Sequence, residues 1–228
     1  MLTHLFVFDV DGTMIKNHRA VRDEFVGAFE DVAGVTLGHE DGIQFAGMTD
    51  RGIVRTILGH IGREDEFDTF FPRFEERFIV RLDAIYKTHP DPMLLPGVVE
   101  LLDALGSKPH AGLALGTGNC RSTCEIKLQR FGLWDRFGAG GFGGDHEIRS
   151  DAIQAAVDDA RIKLGWSDGE VWVIGDTVRD IAAARAIKAK VLAVATGPDS
   201  YEDLQNASPD FLLRSLEDTS AILGNLGL

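Results

Sequence analysis

Four short runs of uninterrupted apolar residues mark this chain, and each ends in Gly, Thr or Asp. Leu5-Phe6-Val7-Phe8 leads into Asp9-Val10-Asp11-Gly12-Thr13, and Ala111-Gly112-Leu113-Ala114-Leu115 into Gly116-Thr117-Gly118-Asn119. Val171-Trp172-Val173-Ile174 leads into Gly175-Asp176-Thr177, and Val191-Leu192-Ala193-Val194-Ala195 into Thr196-Gly197. Runs of this length without polar alternation predict strands buried on both faces, as in a parallel sheet covered by helices. Helical spacing fills the intervals at Val98–Leu105, Arg121–Phe131, Ala152–Leu164, Ile181–Ile187 and Leu216–Leu226. A short turn near Tyr201 and an edge strand at Phe211-Leu212-Leu213 complete the series. Strands alternating with helices imply right-handed βαβ units. The polar strand ends then gather along one edge of one sheet, which makes Asp9, Asp11, Thr117 and Asp176 neighbours in space.

Residues 16–91 break the alternation. Val21, Phe25, Phe29 and Val32 follow helical spacing, as do Ile53, Val54, Ile57 and Leu58. Phe67, Phe71, Phe74, Phe78, Leu82 and Ile85 continue it through a longer helix. The segment reads as a helical insert between the first strand and the rest of the sheet, with its aromatic stripe as its own core. The return linker His89–Gly97 holds three prolines and is expected to be extended and stiff. The division is thus 1–15 with 92–228 for the sheet domain and 16–91 for the insert.

A chain of 228 residues, 44% of them hydrophobic, has room for a sizeable core. Its formal charge of −13 argues against a nucleic-acid partner or an anionic membrane surface. No run is long enough to span a bilayer, and Leu2–Phe8 is too short and lacks the basic leader of a signal peptide. The expectation is a soluble, cytoplasmic protein; nothing in the pattern sets its oligomeric state. Cys120 and Cys124, without further Cys or a paired His, read as reduced, partly buried helix thiols rather than a zinc site.

The paired carboxylates carry the chemistry. Asp9 and Asp11 fall at the carboxyl end of a strand, where open α/β sheets bind ligands. Like charges so close are costly unless a proton or a cation relieves them, and a hard, oxygen-seeking ion such as Mg²⁺ is suited to that. The alternative is a Gly-containing turn whose Asp side chains cap backbone N–H groups. Thr117-Gly118-Asn119 fits either a phosphate-holding helix start or an ordinary cap. Asp180 fits either a capping box with Thr177 or support of a metal ligand.

Taken together, Asp9-Val10-Asp11-Gly12-Thr13, Thr117-Gly118-Asn119 and Gly175-Asp176-Thr177-Val178-Arg179-Asp180 resemble the haloacid dehalogenase superfamily, over essentially the whole chain. The resemblance implies a Rossmann-like parallel sheet flanked by helices, with the insert as a helical cap of the C1 type. It implies an Mg²⁺-dependent phosphomonoesterase that acts on a small phosphorylated metabolite. Asp9 would be the nucleophile that becomes an aspartyl-phosphate, and Asp11 the acid and base for leaving group and water. Mg²⁺ would be held by Asp9, the backbone carbonyl of Asp11 and Asp176, with Asp180 behind them. Thr117 and the N–H groups of Gly118 and Asn119 would hold phosphoryl oxygens.

The family also places a Lys beside the nucleophile, and the corresponding stretch Gly144–Asp151 contains none. Arg149 is the substitute by position, with a surface role as the alternative; Lys127 and Lys163 fall inside helices and are poorer candidates. Lys16, next to Asn17, His18 and Arg19, is a candidate for substrate binding. So is Arg51, in Phe45-Ala46-Gly47-Met48-Thr49-Asp50-Arg51, which resembles a cap loop of phosphoglycolate-phosphatase-like members. A phosphomutase, or a non-catalytic binding protein on the same fold, remains the alternative.

Overall fold

A computed structural model describes residues 2–16, 19–38, 45–88 and 92–228. The apolar runs form a six-stranded sheet of β1 (His4–Phe8), β4 (Ala111–Thr117), β5 (Ala139–Phe142), β6 (Glu170–Gly175), β7 (Lys190–Val194) and β8 (Phe211–Leu213). Two further strands, β2 (Ile15–Lys16) and β3 (Met93–Leu94), pair with each other outside it. The large sheet runs in the order β5-β4-β1-β6-β7-β8 and every pairing in it is parallel. Chain order therefore proceeds to one side of β1 and then restarts on the other, and such reversals are where open α/β sheets leave a crevice. Phe8 pairs in register with Leu115 and Ile174, so Asp9, Thr117 and Asp176 emerge at one edge.

The period-two alternation of strand side chains divides the core. Phe6 and Phe8 face α4 (Val98–Gly106), α5 (Arg121–Gln129) and α9 (Thr219–Leu226), in one apolar cluster with Leu101, Leu128 and Ile222. Leu5 and Val7 face α6 (Arg149–Lys163), α7 (Val178–Ala186) and α8 (Tyr201–Asn206), in a second cluster with Ile153, Ile181 and Leu204. With both faces covered, these strands have no polar face, which is why they read as continuous apolar runs.

Between β2 and β3 the described chain is helical: α1 (Arg19–Ala33), α2 (Asp50–His60) and α3 (Phe67–Thr88). Their aromatic stripe forms a third cluster in which Phe25 contacts Phe45, Phe74 and Phe78. Cys120, contributed by the sheet side, is buried in this same cluster, while Cys124 lies in the first one. Part of the expected stiff linker, residues 89–91, lies outside the described residues.

One strand was not expected, and two helix starts are corrected. The glycine-rich β5 carries almost no apolar pattern; Gly141 is admitted because a Cβ there would lie 1.9 Å from the Ala152 carbonyl oxygen. Helix α6 starts at Arg149 rather than Ala152, so Arg149 belongs to its first turn. Helix α9 starts at Thr219 because Asp218 caps it, accepting the Ala221 N–H at 2.9 Å.

Candidate active site

The turn after β1 is closed by its own backbone: Gly12 N–H donates to Ile15 O, and Ile15 N–H to Val10 O. Gly12 takes φ +88°, and a Cβ there would lie 2.2 Å from Asp176 Oδ2, so only glycine lets the two turns meet. Thr13 Oγ1 donates to Asp176 Oδ1 at 2.8 Å. Asp9, Asp176 and Asp180 are all buried, and each offers one carboxylate oxygen within 4.8 Å of the others.

Two of these carboxylates, Asp9 and Asp176, resist ionisation. Burial, only partly opposed by Arg149, pushes the Asp9 carboxyl up to about 6. Burial, with the charges of Asp9 and Asp180, holds Asp176 well above the usual carboxylate range. Asp176 Oδ2 is buried with no hydrogen-bond partner. An orphaned carboxylate oxygen beside a second buried carboxylate is a donor set that suits a hard divalent cation.

Arg149 supplies the opposing charge. Its Nη2 lies 2.5 Å from Asp9 Oδ1, and Nη2 and Nε donate to Asp180 Oδ1 at 2.8 and 3.1 Å. Burial alone would lower its pKa, but the Asp9 and Asp180 carboxylates outweigh that and raise it. The other oxygen of Asp180 accepts from Thr177 N–H and Oγ1, at 3.1 and 2.6 Å, in the capping box that starts α7. Both Asp180 oxygens are thus engaged, one in the cap of α7 and the other by Arg149. The surface alternative for Arg149 is excluded by its 8% exposure.

On the other side of Asp9, Asp11 Oδ2 accepts from Asn119 Nδ2 at 2.7 Å and from Lys127 Nζ at 2.6 Å. Lys127 also donates to Asn119 Oδ1 at 2.6 Å, and Asn119 Nδ2 to the buried Thr117 Oγ1 at 2.7 Å. Arg149 keeps the place beside Asp9, and Lys127, the poorer candidate for it, serves Asp11 instead. Burial works against its charge, but Asp11 and Asp50 prevail and raise its pKa. The signal was present in the pattern: Cys124, Lys127 and Leu128 fall on the buried stripe of α5, where a cation has to be paired.

Together with Gly118, these residues form one end of a cavity of about 550 Å³. The other side is closed by the helical segment, which meets the sheet edge at the start of α2. Thr49 caps α2 and donates to Glu147 O at 2.8 Å; Asp50 N–H donates to Gly118 O at 2.7 Å. Asp50 Oδ2 accepts the Cys120 N–H at 2.8 Å, and burial raises its carboxyl to about 6 even with Lys127 nearby. Arg179 donates to the Ala46 carbonyl from the sheet side. Lys16 lines the cavity. Arg51 does not line it: its guanidinium lies 3.7 Å from Glu147 and over the Phe67 and Phe71 rings, a nearer carboxylate and two aromatic faces. Asn17 and His18 lie outside the described residues.

The model of the haloacid dehalogenase-like hydrolases matches residues 3–188. A phosphoglycolate phosphatase of Synechococcus elongatus is 28% identical over 93% of this chain and 93% of its own. The pyrophosphatase PpaX of Halalkalibacterium halodurans is 25% identical over 96% and 95%. Among solved structures, a beta-phosphoglucomutase from Clostridium difficile shares the fold with a TM-score of 0.72, at 14% identity over 100% of this chain and 98% of its own.

Proposed function

Because the chain belongs to the haloacid dehalogenase-like hydrolases, we propose that it is an Mg²⁺-dependent phosphomonoesterase working through an aspartyl-phosphate on a small phosphorylated metabolite. The observation that carries this is the pairing of Asp9 with Arg149 beside the unpartnered Asp176 Oδ2, at the base of a cavity large enough for a metabolite. The phosphatase names of the relatives agree with it. Asp9, Asp176 and the backbone carbonyl of Asp11 would hold Mg²⁺, which when bound offsets the negative charge gathered with the phosphoryl group.

The chain's own residues then divide the work. Asp9 attacks phosphorus, and the bond from phosphorus to the leaving oxygen breaks as Asp11 gives that oxygen its proton. Asp11 next takes a proton from the water that attacks the acyl phosphate, which frees phosphate and restores the Asp9 carboxylate. Arg149 balances Asp9 and the phosphoryl oxygens, and Thr117, Gly118 and Asn119 face those oxygens. Lys127 and Asn119 fix the side chain of Asp11. Residues 16–91 act as a cap over the domain formed by 1–15 and 92–228, and Lys16 meets the substrate at the mouth. A cytoplasmic setting, with Cys120 and Cys124 as free thiols, belongs to the same reading.

The test is phosphate release from a panel of monoesters by the wild type and by Asp9→Asn, with Mg²⁺ and with chelator. We expect release only with Mg²⁺ and wild-type Asp9, since a carboxamide cannot form the acyl phosphate. Full turnover in Asp9→Asn, or in chelator, overturns the mechanism. Isomerised sugar phosphate without free phosphate would instead make the chain a mutase.

A further inference from the structure

The two ends of the cavity differ in chemistry. The sheet end holds the carboxyl groups of Asp9 and Asp176 and the cations Arg149 and Lys127, all buried. The opposite wall, from the helical segment, presents Val21, Phe25, Phe45, Met48, Ile53 and Phe78. Among the described residues, Asp50 is the one buried polar side chain on that wall, and its Oδ2 is already used by the Cys120 N–H. The cations Lys16, Arg19 and Arg22 stand at exposed positions of the rim, with Arg22 lying over the Phe45 ring at 4.6 Å.

Resting on the phosphatase reading of this site, the geometry points to a phosphomonoester whose alcohol carries an apolar body, of ring or branched-chain size, close to the phosphorylated carbon. A short polyanion would put a second charged group that reaches this wall against hydrocarbon, where the wall offers no buried donor. An apolar body releases water from that wall, and contact with this non-reacting part of the substrate can be used to align the phosphoryl group. The volume of about 550 Å³ exceeds what a phosphoryl group and two carbons fill, and falls within the range of cavities that enclose metabolite-sized ligands.

The experiment compares kcat/KM for 2-phenylethyl, isopentyl and ethyl phosphate, whose leaving alcohols have similar basicity, with that for phosphoglycolate and pyrophosphate. The arylalkyl and branched esters are expected to exceed ethyl phosphate and phosphoglycolate by about tenfold or more, the scale of one or two methylene-sized contacts in an apolar pocket. Met48→Asn, on the half-buried part of the wall, should lower kcat/KM for 2-phenylethyl phosphate by about tenfold and for ethyl phosphate much less. Equal rates for ethyl and 2-phenylethyl phosphate, or a preference for phosphoglycolate or pyrophosphate, overturn the inference. Calorimetric binding of 3-phenylpropylphosphonate against ethylphosphonate separates the two readings. Tighter binding of the aryl compound with no turnover of any ester supports the apolar wall and sinks the phosphatase reading; equal binding sinks the inference itself.

Discussion

Arg149 and Lys127 each bring a buried cation to a carboxylate, but with different shapes and consequences. The planar guanidinium of Arg149 spans Asp9 and Asp180 with donors held in a fixed fork. Arg149→Ala leaves two buried carboxylates without their cation, a change that typically costs about 3–5 kcal/mol. We expect at least a tenfold loss of kcat/KM and a lower melting temperature, and wild-type values in both would remove Arg149 from the site. Lys127 is a point charge that holds Asp11 against Asn119. Lys127→Met keeps the apolar stem in the buried stripe of α5 and deletes the charge. It should lower kcat by about one to two orders of magnitude, part of the roughly hundredfold or larger contribution of a general acid, with KM little changed. An unaltered kcat would mean that Asp11 needs no such partner.

At the scale of elements, the start of α2 is the joint between the helical segment and the sheet edge. Gly118 permits it: a Cβ there would lie 2.1 Å from the Met48 carbonyl oxygen. Gly118→Ala should therefore destabilise the protein by about 1–3 kcal/mol, the usual cost of overpacking, as read from denaturant unfolding. The Asp50 carboxyl titrates in the same joint. Its pKa is raised on folding, so its contribution favours the folded state below pH 4 and is lost as pH rises through about 6. The full rise from 3.8 to about 6 corresponds to on the order of 3 kcal/mol. Asp50→Asn removes that dependence. The stability of the variant relative to wild type should climb between pH 4 and pH 7, and a pH-independent difference would show that Asp50 does not titrate there.

For the whole molecule, three buried carboxylates and a net charge of −13 make the sheet edge expensive to fold unless cations gather at it. A divalent ion should raise the melting temperature, by the equivalent of about 2.7 kcal/mol at one hundred times its dissociation constant. Protons compete with it. Asp9 is protonated below about pH 6, so the Mg²⁺-induced gain should be largest near pH 8 and shrink toward pH 5. Asp176→Asn should abolish the gain at every pH. A gain that survives this substitution would place the ion elsewhere. The same edge draws on both halves of the chain, since Cys120 packs into the helical cluster while Cys124 packs under the sheet.

The apolar runs determined the parallel sheet, because a strand covered on both faces has no polar face to interrupt it. The short polar ends of those runs determined that Asp9, Thr117 and Asp176 would meet, because parallel strands with right-handed crossovers share one carboxyl edge. Strand β5 escaped the pattern, since its Gly141 is chosen by the backbone of α6 pressing on it rather than by apolar burial. Only tertiary structure decided which cation serves which carboxylate. Arg149 reaches Asp9 from the first turn of α6, Lys127 reaches Asp11 from inside α5, and Arg51 turns away to Glu147. Spacing along a chain fixes the face on which a side chain lies; the length and direction of its reach are set by whatever packs beside it.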